Sequence, residues 1–574
     1  MIAAHKNVRI LLSLLKQYNI KYFVISPGSR NMPIVKSVED DPFFTCYSVV
    51  DERSAAYFAV GLSLEVCEPV AISCTSAQAT RNYIPGMTEA FYRKAPILAI
   101  TSDYDLSYIG QQNMQALVQM NMPSDACNVS VDVPIVKDGM DEQLAVRNVN
   151  LALDALTRSG GGPAHLNIRI AAHWERGEDE LEPYRKITRY VATDLEWPEL
   201  GSRKILLVIG QHHPMRGEDL EAIEAFAARY NVAIYVNHIS NYNGLKSVHG
   251  NLRFKSAPIG ELKPDLLITI GGHLGDYPLD GKLRKAKVEH WRVSPDGQYA
   301  DTFNLVSKVF ECSDSQFFVR MAEATSGDYG HSYYEQWVSE IGKVSLPADY
   351  PLSHATIAKH LAPIIPAQSN LHFAILNSMR IWEMFEIDPS ICAYSNVAGF
   401  GIDGCLSTFL GQSVASEELN FLITGDLSFF YDMNAIGIRQ LKNNIRIILI
   451  NNHGGCEFRL KSHAADNFGD DSNRHIAAAG HFGSSAEGWV RNNGFKYIGV
   501  HSEGELIELK ETLVQPSDQP ILMEFFTEMK DDSDALEAIS MHNDSSTQSQ
   551  KLVKSIKRNI PSGLKKSLKA ALRR

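Results

Sequence analysis

The chain has 574 residues, 44% apolar and 21% charged, near the averages for globular proteins. At roughly 150 residues per domain this length makes room for three or four domains. No apolar run approaches the roughly 18 residues that span a bilayer. The same composition excludes a disordered chain, a collagen and a small disulfide scaffold. Net charge is −12, but nine Lys/Arg against one Asp from Met541 to Arg574 put +8 on the tail and leave −20 on the rest. An acidic body argues against a nucleic-acid partner.

In chain order, Ile10 to Leu15 run apolar into Lys16 at helical spacing without a small-residue cleavage site, which predicts a first helix and no signal peptide. Strands are predicted at residues 22–25, 70–73 and 96–100 in a first unit, and at 205–209, 232–235 and 266–270 in a second. A third unit holds strands at 420–424 and 445–450, both apolar enough to be buried on two faces. The polar, Pro-containing stretch 174–200 reads as a linker and 345–350 as a further boundary. Strands alternating with helical patterns predict α/β architecture with parallel sheets, and the first and third units look alike. The eight cysteines are scattered, with no C-x-x-C pair, and suit a reduced, cytosolic chain. The run Gly271-Gly272-His273-Leu274-Gly275 reads as a plain tight turn, so no flavin is expected.

The chemistry concentrates in the third unit. Gly425-Asp426-Leu427-Ser428 follows one apolar strand, and Asn451-Asn452-His453-Gly454-Gly455 follows the next. An Asp and an Asn at the carboxyl ends of neighbouring parallel strands offer two hard oxygen ligands, and the glycines let backbone groups come close. Oxygen ligands of low total charge suit Mg²⁺ bridging to substrate phosphates. Two ordinary strand-to-helix turns capped by Asp and Asn would read the same way from spacing alone.

The order G-D-x-S, some two dozen residues, then N-N-x-G-G resembles the metal–diphosphate signature of thiamine-diphosphate-dependent enzymes. Within that superfamily the chain is most similar to the 2-succinyl-5-enolpyruvyl-6-hydroxy-3-cyclohexene-1-carboxylate synthases of menaquinone biosynthesis. The matching pieces run in family order from about residue 20 to 460: Ser26-Pro27-Gly28-Ser29-Arg30, Asp51-Glu52-Arg53-Ser54-Ala55-Ala56, Thr75-Ser76 with Asn82 and Pro85, Asn377-Ser378-Met379, Ser395-Asn396 and Gly401-Ile402-Asp403-Gly404, besides the two loops above. The resemblance implies three doubly wound parallel-sheet domains plus a basic amphipathic tail. These are a pyrimidine-binding domain (1–185), a central domain (186–345), a diphosphate- and Mg²⁺-binding domain (346–540) and the tail (541–574). It implies thiamine diphosphate and Mg²⁺ as cofactors, with Asp426, Asn452 and the Gly454 carbonyl as metal ligands. Glu52 matches the catalytic carboxylate against N1′ of the aminopyrimidine, which favours the imino form whose N4′ can take the C2 proton. An apolar setting would raise the pKa of such a Glu. Ile402 matches the apolar wedge that bends the cofactor, and Gln115, Gly425, Leu427, Ser428 and Gly455 match cofactor-binding positions. A homodimer or homotetramer is implied, since cofactor sites in this family lie between subunits.

The substrate half departs from the family. Those synthases take 2-oxoglutarate and isochorismate, whose carboxylates are held by arginines. Ser29, Arg30 and Ser378 are retained, but Tyr104, Trp382 and Val397 stand at family arginine positions, with Arg380 two residues before Trp382. Asn113-Met114-Gln115 departs from the family's small-Asn-Gln triplet, and Gly275-Asp276-Tyr277-Pro278 lacks its basic pair. Glu457 replaces an apolar residue before the retained Phe458. Each lost buried charge-assisted contact costs roughly 2–5 kcal/mol. The expectation is therefore a decarboxylase–carboligase that acts on a 2-oxo acid and passes the acyl-anion equivalent to an acceptor, a paralogue with changed specificity. The synthase itself, a simple 2-oxo acid decarboxylase and a non-catalytic scaffold are the alternatives. In the tail, Leu552, Ile556, Ile560, Leu564, Leu568 and Leu572 recur at four-residue spacing among Lys and Arg, with Pro561 and Gly563 between them. Two short basic amphipathic helices are predicted there, with contact at the inner membrane face or with a partner groove.

Overall fold

In the computed structural model the described residues are 1–171, 174–275, 277–461, 463–480 and 485–543. The predicted amphipathic helices of the tail lie outside them. Compactness divides the chain into two units, one of Met1–Trp197 with His290–Cys312, the other of Pro198–Glu289 with the chain from Ser313 onward. The three parallel sheets with flanking helices expected from the sequence are present.

The first unit carries a six-stranded sheet in the order Thr45–Ser48, Tyr22–Ile25, Val70–Thr75, Ile97–Asp103, Ala164–Arg169, Val129–Val133, every pair parallel. The second unit carries another, in the order Cys392–Ser395, Asn370–Phe373, Asn420–Gly425, Ile445–Asn451, Ile521–Phe526, Lys496–Val500. Numbered along the chain, both sheets read 2-1-3-4-6-5, which explains why the two units look alike in sequence. In each, the order reverses between the first and third strands, and the crevice beyond their carboxyl ends is where open α/β sheets bind ligands. In the second unit that crevice is flanked by residues 374–378 and by Asp426.

The central strands are parallel too. In the second unit Ser247–Val248, Val232–Tyr235, Ile205–Ile209 and Leu266–Ile270 lie side by side in that order. In the first unit Thr188–Val191 pairs with Val306–Glu311. The stretch 174–200 is therefore more than the linker predicted: it contributes a strand, and Arg176 forms a bridge to Ala3. The 271–275 glycines serve backbone packing. Gly272 N–H donates to the Gln211 carbonyl (2.8 Å), Gln211 N–H donates to the His273 carbonyl (3.0 Å), and a Cβ on Gly210 would collide with the Gly272 carbonyl.

Burial follows the apolar pattern. Every residue of Ile445–Asn451 is buried, as a strand covered on both faces requires. The helix Glu52–Val66 turns Ala55, Ala56, Ala59 and Val60 inward against the helix Ser76–Arg93. Their closest approach is at Gly86, where a Cβ would stand 2.5 Å from the Ala56 Cβ and 3.0 Å from its backbone. Gly86→Ala must therefore push the two helices apart. A destabilisation of about 1–3 kcal/mol is expected, read as a lower urea midpoint at unchanged m.

Candidate active site

In the first unit, Glu52 opens the helix Glu52–Val66, four residues beyond the end of the strand Thr45–Ser48. Asp51 caps that helix by accepting the Ser54 N–H (3.0 Å), so the chain turns there and sets Glu52 on the first turn. Glu52 is half-buried, and its charge is felt by the enclosed Cys74 thiol and Tyr83 hydroxyl beneath it. Gln115 lies on an exposed loop at φ +66° and accepts a long hydrogen bond from the Ser76 hydroxyl (3.5 Å).

Arg30 and Tyr104 come together. The Arg30 guanidinium lies over the Tyr104 ring, 3.5 Å from its centroid, and donates to the Ile170 carbonyl (2.8 Å). Such stacking holds a planar cation while leaving further N–H groups for an anion. Tyr104 is held from below by a buried polar network that sequence reading missed. Its N–H donates to Asp103 (2.7 Å), and its carbonyl accepts from Arg169 (2.8 Å), which also pairs with Asp132 (2.8 Å) and Asp103 (3.4 Å). Asn167 bridges Asp103 and Asp132, and His165, kept neutral by burial with its pKa pulled down to about 3, joins Thr101 to Ser130. Ser29 is exposed.

In the second unit, Gly425 ends its strand and Asp426 begins the helix Asp426–Tyr431. The Asp426 carboxylate is buried and accepts the Leu427 N–H (2.7 Å), while the His453 N–H in the neighbouring loop donates to Asn451 (3.2 Å). Burial, helped by the charge of Asp532, pushes the Asp426 pKa up to about 7 against the pull of the nearby backbone N–H groups. Ser428 donates to the Ile402 carbonyl (2.7 Å), fixing the loop that carries the predicted wedge residue. At the next strand end, Asn451 is pinned to the buried Glu524 (2.7 Å), and His453 takes φ +62°. Gly454 and Gly455 pass under residues 477–479: Gly455 N–H donates to the Ala477 carbonyl (2.6 Å), and a Cβ on Gly454 would sit 3.0 Å from that same oxygen. The glycines are required by this close approach.

Asn452 is the informative residue. Its Nδ2 donates to Asp532 (2.7 Å), while its buried Oδ1 has no hydrogen-bond partner among the described residues. An unmet buried acceptor costs about 1–3 kcal/mol. An oxygen-seeking cation between Asn452 and Asp426 would meet it, and Mg²⁺ has the right preference. Asp426 and Asn452 thus fit a divalent ion on their donor chemistry. No group of three or more His, Cys, Asp or Glu among the described residues could hold a metal.

The remaining predicted residues divide. Ser378 lies buried in the short helix Asn377–Arg380, preceded by Leu376 at φ +63°, ψ −125°, a backbone strain of about 1–3 kcal/mol for a residue with a side chain. Arg380 forms an ion pair with Glu457 (2.9 Å), both side chains mostly buried, and the other Glu457 oxygen is enclosed without a partner among the described residues. Phe458 packs edge-on against His463 and touches Gly455. Trp382 is turned wholly into the core, its indole N–H donating to the buried His354 (3.2 Å). Val397 is core as well, packed with Met379 against Gly275. Both therefore act through packing here. Asp276 lies outside the described residues.

Residues 6–122 match the family described as thiamine pyrophosphate enzyme, N-terminal TPP binding domain. The chain is 34% identical over 559 residues to a 2-succinyl-5-enolpyruvyl-6-hydroxy-3-cyclohexene-1-carboxylate synthase of Phocaeicola vulgatus, covering 92% of this chain and 97% of the relative. Synthases of the same name from Bacteroides thetaiotaomicron (33%, 92% and 97% covered) and Flavobacterium johnsoniae (30%, 89% and 93% covered) are similar throughout. Asp426→Ala should lower the affinity for thiamine diphosphate in the presence of Mg²⁺ by at least ~10-fold, measured by titration calorimetry.

Proposed function

Because the chain belongs to the thiamine-diphosphate-dependent family of these synthases, using thiamine diphosphate and a divalent ion, we propose that it decarboxylates a 2-oxo acid and transfers the acyl unit to an acceptor. The observation that carries this reading is the buried Asn452 Oδ1, without a hydrogen-bond partner among the described residues, at the strand end next to the one that carries the buried Asp426 carboxylate. In it, Asp426, Asn452 and the Gly454 carbonyl would hold Mg²⁺, and the loops that carry them the diphosphate. When bound, the cofactor supplies the carbanion stabilisation that the protein itself lacks. Glu52 would exchange a proton with the cofactor's aminopyrimidine, Ile402 and Gln115 would shape its surroundings, and Arg30 on its Tyr104 platform would receive a substrate carboxylate. The site is cytoplasmic in this reading.

Similarity along nearly the whole length of both chains supports the synthase reaction itself, with 2-oxoglutarate as donor and isochorismate as acceptor. A second reading, changed specificity, is favoured by the Arg380–Glu457 ion pair. That pair neutralises Arg380 and leaves one buried Glu457 oxygen without a hydrogen-bond partner among the described residues. A substrate bringing a hydroxyl or ammonium there is preferred to one bringing a second carboxylate. A homodimer is part of the proposal. Tyr57, Phe58 and Leu64 on the Glu52 helix are exposed large apolar residues, as are Val50 and Met114, and a second copy would cover them.

Purified protein with thiamine diphosphate and Mg²⁺ should release CO₂ from 2-oxoglutarate and consume isochorismate if the synthase reading holds. Preference for a 2-oxo acid without a distal carboxylate supports the second reading. Glu457→Gln should then shift kcat/KM toward 2-oxoglutarate by ~10-fold or more, as expected for freeing one buried cation. No CO₂ release from any 2-oxo acid would contradict both. Phe58→Asp should halve the mass seen by light scattering and reduce activity, whereas an unchanged mass would remove the helix face from the interface.

A further inference from the structure

We propose that Asp532 is the positioning residue that decides which end of the Asn452 amide faces the metal, an inference that rests on the metal-site reading above. Asp532 lies on the helix Met529–His542 and is 2% exposed. One carboxylate oxygen accepts the backbone N–H of His354 (2.6 Å), at the start of the helix His354–Leu361. The other accepts the Asn452 Nδ2 (2.7 Å) and the Thr527 hydroxyl (3.3 Å). Each oxygen is therefore engaged, from three separate segments of the chain.

An ionised carboxylate only accepts hydrogen bonds, so only the NH₂ end of the Asn452 amide can face it. The Oδ1 end is thereby turned the other way, buried and without a hydrogen-bond partner among the described residues. This is the end a cation needs. Without Asp532 the amide would have two nearly equivalent orientations, one of which presents N–H groups to the cation. The carboxylate removes that second orientation with a charge-assisted bond. The Thr527 and His354 contacts fix the carboxylate in its turn. Partners behind a ligand that set its orientation are a recurrent requirement of metal sites. Nothing in the Asp426 or Asn452 loops assigns such a role to a residue eighty positions further along the chain.

Asp532→Asn tests this with almost no change of shape. Its single oxygen can go on accepting from His354, which leaves an NH₂ facing Asn452. The Asn452 amide then turns over, accepts that NH₂ through Oδ1 and points Nδ2 at the cation. Mn²⁺ affinity, read from the paramagnetic resonance of free Mn²⁺ with thiamine diphosphate present, should fall ~10- to 100-fold. In the reciprocal variant Asp532→Asn/Asn452→Asp, the new carboxylate accepts from the new amide and turns its second oxygen to the cation, so most of the lost affinity should return. Wild-type Mn²⁺ affinity in Asn452→Ala would overturn the metal-site reading and this inference with it. Loss in Asn452→Ala but not in Asp532→Asn would overturn the inference alone, as would a reciprocal variant that recovers nothing. Loss of the near-ultraviolet circular dichroism in both Asp532 variants would mark the residue as structural and overturn it as well.

Discussion

A carboxylate taken out of water at the end of a central strand is the constraint around which the diphosphate-side site is built. Asp426 accepts the Leu427 N–H, yet burial and the nearby Asp532 still drive its pKa up to about 7. Asp532 itself is pushed up to about 6, chiefly by enclosure, against the donors that meet it. Two buried acids whose charges act on one another make a place where a divalent cation is favoured. Its charge would reverse the local preference for protons. The loop around Gly454 and Gly455, the amide of Asn452 and the turn at Asp426 all converge on that place.

The fold explains why this happens where it does. In a 2-1-3-4-6-5 parallel sheet the crevice opens at the strand ends where the order reverses, and helix-opening N–H groups point into it. The first unit repeats the plan with different contents. There the strand ends supply Glu52 on its first helical turn and the Arg30–Tyr104 stack, above a buried network running through Asp103, Asn167, Asp132 and Arg169. One architecture thus carries two kinds of site. The first unit's loops offer a half-buried glutamate and a stacked cation, the second unit's a cluster of oxygens and N–H groups. Fold alone would not tell them apart, which is why the function is argued from side chains.

Much of this was legible in the sequence, because apolar runs broken at small or polar residues are enough to place parallel strands and their carboxyl ends. The strands at 22–25, 205–209, 232–235 and 266–270 begin and end where the pattern says. Two site residues were harder to place. Trp382 and Val397 occupy positions that a motif comparison assigns to the substrate, but a large indole and a branched aliphatic chain gain more by burial, and both have gone into the core. Asp532 left only a faint mark. It shares a stripe with Ala535 and Ile539 at helical spacing, so an acid stands on the apolar face of its helix. That is a signal of a buried, partnered carboxylate, but its partners lie far away in sequence. The network under Tyr104 is invisible for the same reason: Ser, Thr, Asn and His on strands look like ordinary alternation until three strands are laid side by side.

The account stands or falls on whether Asp426 and Asn452 hold a cation together. Crystals grown with thiamine diphosphate and Mn²⁺, with data collected at the manganese absorption edge, address this most directly. The account predicts one anomalous peak per chain within ligand distance of an Asp426 oxygen and of Asn452 Oδ1. Thiamine diphosphate bound with no such peak, or with the peak at other residues, would contradict it.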